Sequence, residues 1–183
     1  KEIRWTLHDC WAFTGHCAYF DYVGCEKWKT GCHDCPQKGT YPASVLADNS
    51  RKNYLRKRTL FTGIPNLTLT VPSHWLEGRV KESFLKDYPV EVIYNQVDKS
   101  VFKPTPGNFR EKYHLETAKI VLGVASVWEE RKGLKDFLAL AGLLPPEYKI
   151  VLIGLNEGQL AALPEKILGL PRTDNVRQLV EAY

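Results

Sequence analysis

Short β-rich runs alternate with helix-patterned stretches along most of the chain. Ile3–Leu7 reads as a strand that stops at His8-Asp9. Residues 50–61 read as a basic helix, and Leu67-Thr68-Leu69-Thr70-Val71 alternates as a strand up to Pro72. Ser73 is placed to cap a helix whose Leu76, Val80 and Phe84 recur at i, i+4 and i+8. Residues 90–94 read as another strand.

The segment Lys103-Pro104-Thr105-Pro106-Gly107-Asn108 is a turn-rich hinge. Beyond it, residues 119–125 form a near-continuous apolar run of the kind found in a buried parallel strand. Leu134, Phe137, Leu138, Ala141 and Leu144 fit one face of a helix that Pro145-Pro146 ends. Residues 149–154 read as a second buried strand, and residues 159–163 begin another helical stretch. Strand and helix alternating on both sides of the hinge predict an α/β fold. It would hold parts of two Rossmann-like domains, with parallel sheets flanked by helices. The expected domains are 1–103, with a Cys-rich insertion at 10–36, and 104–183.

Composition refines this only modestly. In 183 residues, 44% hydrophobic and 25% charged positions are ordinary for a globular protein with a real core. No apolar run approaches the roughly 20 residues that a membrane-spanning helix needs. The N-terminus has no signal-peptide character, so a cytoplasmic protein is expected. The chain has no Met, starts in mid-strand and ends at Glu181-Ala182-Tyr183 inside a helical pattern. It is therefore expected to be an excerpt of a longer protein. The net charge of +4 is mild, with one basic cluster between Arg51 and Arg58. That cluster reads as a solvated helix face, or as a contact with anionic lipid headgroups of the inner membrane or a phosphorylated acceptor. No nucleic-acid-binding module accompanies it.

Ligands of doubly wound folds sit beyond the carboxyl ends of the strands, and three such ends carry candidate chemistry. His8 follows the first strand and can donate to a hydroxyl or phosphate, or cap the strand. Asn95 and Asp98 lie in the turn that leads into the hinge, where Asp98 alone reads as structural. Residues 124–133 run from a strand into Arg131-Lys132-Gly133 at a helix start, and cations beside free backbone N–H groups make a phosphate cradle.

Taken in order, these segments resemble retaining glycosyltransferases of family 4 with the GT-B fold. Tyr94-Asn95-Gln96-Val97-Asp98 with Phe102-Lys103-Pro104 is similar to the family's linker into the donor domain. The strand, loop and Lys132-Gly133 resemble its phosphate-binding element, and residues 149–154 its following strand. His8-Asp9-Cys10-Trp11-Ala12-Phe13-Thr14-Gly15-His16-Cys17 and Cys32-His33-Asp34-Cys35-Pro36 resemble the subgroup that builds colanic acid, capsules and exopolysaccharides.

The resemblance implies sugar transfer with retention, from a UDP- or GDP-sugar to a glycan or lipid-linked acceptor, without a catalytic metal. Lys132, Arg131 and Gly133 would hold the donor phosphates, His8 would face the donor sugar, and Asn95 and Asp98 would line the linker. Ser126-Val127 stands where the family has Gly-Arg, and Gln96 where its linker has Gly. The family's Glu-x7-Glu element would follow Tyr183 and its glycine-rich acceptor loop would precede Lys1, so these residues alone are expected to be inactive. Two rivals are weighed against this. A dinucleotide-binding protein would need a Gly-x-Gly-x-x-Gly turn, which is absent. A zinc-stapled α/β binding module without catalysis is the other.

All five cysteines fall within the first 35 residues. Cys17, Cys25, Cys32 and Cys35, with a Cys-x-x-Cys pair, have spacing compatible with a structural zinc site. Free thiols and disulfides are the other readings, the latter disfavoured in a reducing compartment. Cys10 reads as a small buried apolar residue.

Overall fold

The computed structural model describes residues 1–44 and 46–183. The chain is α/β and divides into two compact units, Lys1–Gln96 and Val97–Tyr183, each built on one three-stranded parallel sheet flanked by helices. The division falls ahead of the turn-rich hinge segment.

In the first unit the strands β1 (Ile3–Thr6), β2 (Leu67–Val71) and β3 (Val90–Val92) lie in the order β1-β2-β3. Side chains alternate between the faces of a strand, and here the alternation sorts them by polarity. Trp5, Leu7, Leu67, Leu69 and Val71, all at odd positions, pack into one apolar core with Leu76, Val80 and Leu85. The even positions of β1 and β2, with Glu91 of β3, form a polar row. The hydroxyls of Thr6 and Thr70 lie 2.6 Å apart, and Arg4 Nη1 meets Glu91 Oε2 at 2.5 Å.

Two helices belong to this sheet, α1 (Ser50–Phe61) and α2 (His74–Glu82). The Oγ of Ser73 accepts from the Leu76 N–H at 3.2 Å and so starts α2. The helix ends before Phe84 because Ser83 turns the chain. Its Oγ donates to the Val80 carbonyl at 2.8 Å and accepts from the Leu85 N–H at 3.0 Å. Leu85 therefore takes the buried place, and Phe84 packs edge-on against Tyr54 at 5.3 Å.

The insertion between β1 and α1 contains three short 3₁₀ turns, Trp11–Phe13, Asp21–Val23 and Lys27–Lys29. Aromatic packing orders it. Phe20 stacks on Trp28 with ring centroids 4.5 Å apart, Phe13 closes on Trp28 at 5.6 Å, and all three are buried. Lys57 of α1 clamps the turn that follows β1. Its ammonium donates to the carbonyls of Trp11 at 2.6 Å and Thr14 at 3.0 Å, and lies 3.4 Å from the Trp11 ring centroid. Burial there pulls the Lys57 pKa down to about 8. A side chain at Gly15 would stand 2.1 Å from the Ser50 carbonyl oxygen, so insertion and helix meet backbone to backbone.

In the second unit β4 (Lys119–Val124), β5 (Tyr148–Leu155) and β6 (Ile167–Pro171) lie in the order β4-β5-β6. Around them stand α3 (Phe109–Lys112), α4 (Leu134–Leu143), α5 (Glu157–Ala161) and α6 (Val176–Ala182). The central strand is apolar on both faces. Val151 and Ile153 join a layer with Phe109, Leu115 and Ala182, while Ile150, Leu152 and Leu155 meet Trp128 and Ala141. By contrast β4, expected to be fully buried, is mostly half-buried because it borders the sheet. Neither β6 nor α3 was foreseen from the pattern. No helix among the described residues is long and apolar enough to cross a membrane.

Candidate functional site

The carboxyl ends of the two parallel sheets carry the sequence-selected residues. In the first unit, the Leu7 N–H still donates to the Thr70 carbonyl at 2.8 Å, which prolongs the β1–β2 ladder one residue past the strand. His8 follows and is exposed. Its neighbour Asp9 accepts from the Trp11 N–H at 2.8 Å, so Asp9 shapes the turn and leaves His8 on the surface. At the ends of β2 and β3, His74 Nδ1 meets Glu77 Oε2 at 2.8 Å, and its ring packs edge-on with Tyr94 at 6.0 Å. Asn95 follows Tyr94, and both are exposed. Gln96 is not among the residues with positive φ, so its backbone does not require the glycine of the resembling linker.

In the second unit, Asp98 organises a turn. Its Oδ1 accepts from the Ser100 hydroxyl at 2.6 Å and the Ser100 N–H at 2.9 Å, and these bonds hold its carboxyl below the usual range. The geometry gives Asp98 a turn-capping job.

The loop between β4 and α4 is the most built feature of this sheet's carboxyl end. It closes in a 3₁₀ turn, Glu130–Lys132, and Gly133 takes the left-handed conformation at φ 75°. The first turn of α4 has no side-chain cap. Exposed backbone N–H groups at such an end favour an anion. Lys132 is exposed, with no ion pair among the described residues, while Arg131 Nε pairs with Glu129 Oε2 at 2.8 Å. The partner cation that the resemblance asks of Arg131 is thus already committed to a neighbouring carboxylate.

Three residues that sequence reasoning did not single out hold this loop. Trp128 is buried in the middle of a polar loop, and its Nε1 donates to the Ile153 carbonyl at 3.0 Å. Gln159, the third residue of α5, donates from Nε2 to the Trp128 carbonyl at 2.9 Å. Gly154 has φ 101°, and a side chain there would stand 1.7 Å from the Ala125 carbonyl oxygen. The ends of β4 and β5 can approach only because residue 154 has no side chain. The one sequence signal for any of this was a Trp amid Glu, Arg and Lys, a composition that usually leaves an aromatic no apolar neighbour.

All five cysteines are free thiols. Burial pushes Cys17 up to about 12 and Cys32 up to about 11, and it raises Cys10 further still. Cys32 Sγ accepts from the Gly15 N–H at 3.2 Å. Cys17, Cys25, Cys32 and Cys35, the expected zinc ligands, lie near enough that neighbouring thiols help raise Cys17, Cys32 and Cys35. Among the described residues, no group of three or more His, Cys, Asp or Glu side chains is arranged to hold a metal ion.

No family model matches the chain. Over 59 residues, 32% of its length, it is 51% identical to an Escherichia coli (strain K12) protein described as the colanic acid biosynthesis glycosyl transferase WcaC, and the match spans 14% of that protein. Among solved structures, Anabaena HepE in complex with UDP aligns over 98% of this chain and 44% of its own, with TM-score 0.60 and 14% identity. HepE in complex with UDP-glucose aligns over 70% of this chain and 39% of its own, at TM-score 0.50 and 18% identity. Sucrose-phosphate synthase from Thermosynechococcus elongatus aligns over 78% of this chain and 38% of its own, at TM-score 0.54 and 16% identity. The chain spans less than half the length of each. The structural likeness is one of fold, that of the GT-B glycosyltransferases, and the WcaC match is a homologous segment.

Proposed function

We propose that the chain is part of a retaining family 4 glycosyltransferase that works in the cytoplasm on cell-surface polysaccharide. It would move a sugar from a nucleotide donor to a glycan or lipid-linked acceptor. The observation that carries this reading is the segment that is half identical to a colanic acid glycosyl transferase. The UDP and UDP-glucose bound by HepE favour a uridine nucleotide here.

In this reading the 3₁₀ turn and the uncapped start of α4 receive the donor diphosphate. Lys132 supplies the charge and Gly133 the close backbone approach, with Arg131 held near them by Glu129. Fixed donors of this kind stabilise the charge that develops on the leaving diphosphate, and they need no reorganisation during the reaction. His8 addresses the donor sugar, and Asn95 belongs to the linker. Trp128 and Gln159 position the cradle.

Titration of the full-length protein with UDP-, GDP- and ADP-sugars tests the reading. UDP-sugar binding is expected, and Lys132→Ala should weaken it about 10- to 100-fold, as loss of a charge-assisted contact does. If no nucleotide sugar binds, the reading falls.

A further inference from the structure

A pocket of about 460 Å³ lies between one face of α1 and the turns around Trp11 and Pro42. Its walls combine two chemistries. Trp11, Leu60 and Phe61 give it an apolar side, and both Trp11 and Leu60 are exposed. Arg56, Asn53 and His16 give it a polar side. The Arg56 guanidinium has no ion pair and the Asn53 amide no hydrogen bond among the described residues, and His16 Nε2 is buried without a partner.

The floor is already cationic, since Lys57 is a wall residue held by the Trp11 and Thr14 carbonyls. No carboxylate lines the pocket. Asp9 and Asp48, whose charges reach Lys57 and His16, lie outside its walls. They are engaged by the backbone N–H groups of Trp11, Cys35 and Ser50. The local field is therefore positive, and its donors outnumber what the two oxygens of a carboxylate can use.

We propose that this pocket binds a phosphate monoester carried on a short apolar chain. The headgroup meets Arg56 and Asn53, and the chain lies along Leu60, Phe61 and Trp11. Arg56 offers a planar fork suited to phosphate oxygens. The inference stands apart from the glycosyltransferase reading, since no nucleotide sugar enters its test.

Calorimetric titration of the full chain with hexyl phosphate, inorganic phosphate and hexyl glucoside separates the contributions. Hexyl phosphate is expected to bind at least about tenfold more tightly than either of the others, because each lacks one half of the recognition. Arg56→Ala should weaken hexyl phosphate about tenfold or more. Arg58→Ala removes an equal charge from the same helix but no wall residue, and should leave binding unchanged. Leu60→Ser should weaken hexyl phosphate and leave inorganic phosphate as it was. All three positions are exposed, and matching circular dichroism spectra check that the variants fold. Equal losses in the Arg56 and Arg58 variants would mean a diffuse basic helix and would overturn the site. So would inorganic phosphate binding as tightly as the hexyl ester, or no binding at all.

Discussion

The first sheet buries apolar side chains on one face and keeps a polar row on the other, whereas the second is apolar on both faces of its central strand. Both are three-stranded, parallel and sequentially ordered. Their strands differ in the alternation of side chains: Leu-Thr-Leu-Thr-Val in β2 against Ile-Val-Leu-Ile within β5. The lesson is that topology does not dictate how a sheet is stabilised. One unit concentrates its burial in a single layer enlarged by the aromatic insertion, and the other divides it between two thinner layers.

The comparison would break first at Trp28. It is almost fully buried and stacked on Phe20, so Trp28→Ala should destabilise the first unit by about 3–5 kcal/mol. A urea midpoint close to that of the parent protein would mean that the insertion is only an appendage. Next come the central strands. Leu69→Ala and Leu152→Ala should each cost about 2–5 kcal/mol, since both are fully buried. Thr68→Ala, one residue from Leu69 but on the polar face, should stay within about 0.5 kcal/mol. Equal effects of the Leu69 and Thr68 variants in urea unfolding would erase the one-sided description.

Alkaline titration sharpens the contrast, because every cysteine lies in the first unit. Cys17 and Cys32 are raised from 9.0 to about 12 and about 11, and Cys10 further, so the unfolded chain loses these protons first. Their stabilising contribution is complete below about pH 9 and is lost as pH climbs through the folded values. Lys57 acts oppositely. Its pKa falls from 10.5 to about 8 on folding, so stability gains as pH rises from about 8. Denaturation midpoints followed in reductant should therefore rise slightly above pH 8 and then fall beyond pH 9. A flat profile from pH 7 to pH 11 would contradict the burial of the thiols. The smallest effect is expected at Arg4→Gln. The variant removes an exposed pair with Glu91 and should leave the midpoint of the same unfolding assay almost where it was.

Much of the frame was legible in the sequence, because local chemistry fixed it. The bounds of α1 and β2 agree with the periodicity, Ser73 caps α2 as its position suggested, and α4 stops ahead of Pro145. What escaped depends on partners distant in the chain. Ile167-Leu168-Gly169-Leu170-Pro171 is too short and too interrupted by Gly and Pro to announce a strand, and it becomes one by pairing with β5. The order of the insertion has no periodic signature: Phe13, Phe20 and Trp28 pack together, and Lys57 clamps the turn beside them. No spacing rule reveals four such residues meeting in space. The candidate phosphate cradle was visible as Arg131-Lys132-Gly133, but its supports at Trp128, Gln159 and Gly154 were not, since each acts through a backbone carbonyl or a close approach.

Trp28 has a last consequence, in optics. An indole with no water contact, stacked within 18° of a phenyl ring and with its Nε1 lacking a hydrogen-bond partner, should emit at short wavelength and give a strong near-ultraviolet dichroic band. The insertion thus contains its own reporter. Its loosening could be timed by a colour shift in the unlabelled protein.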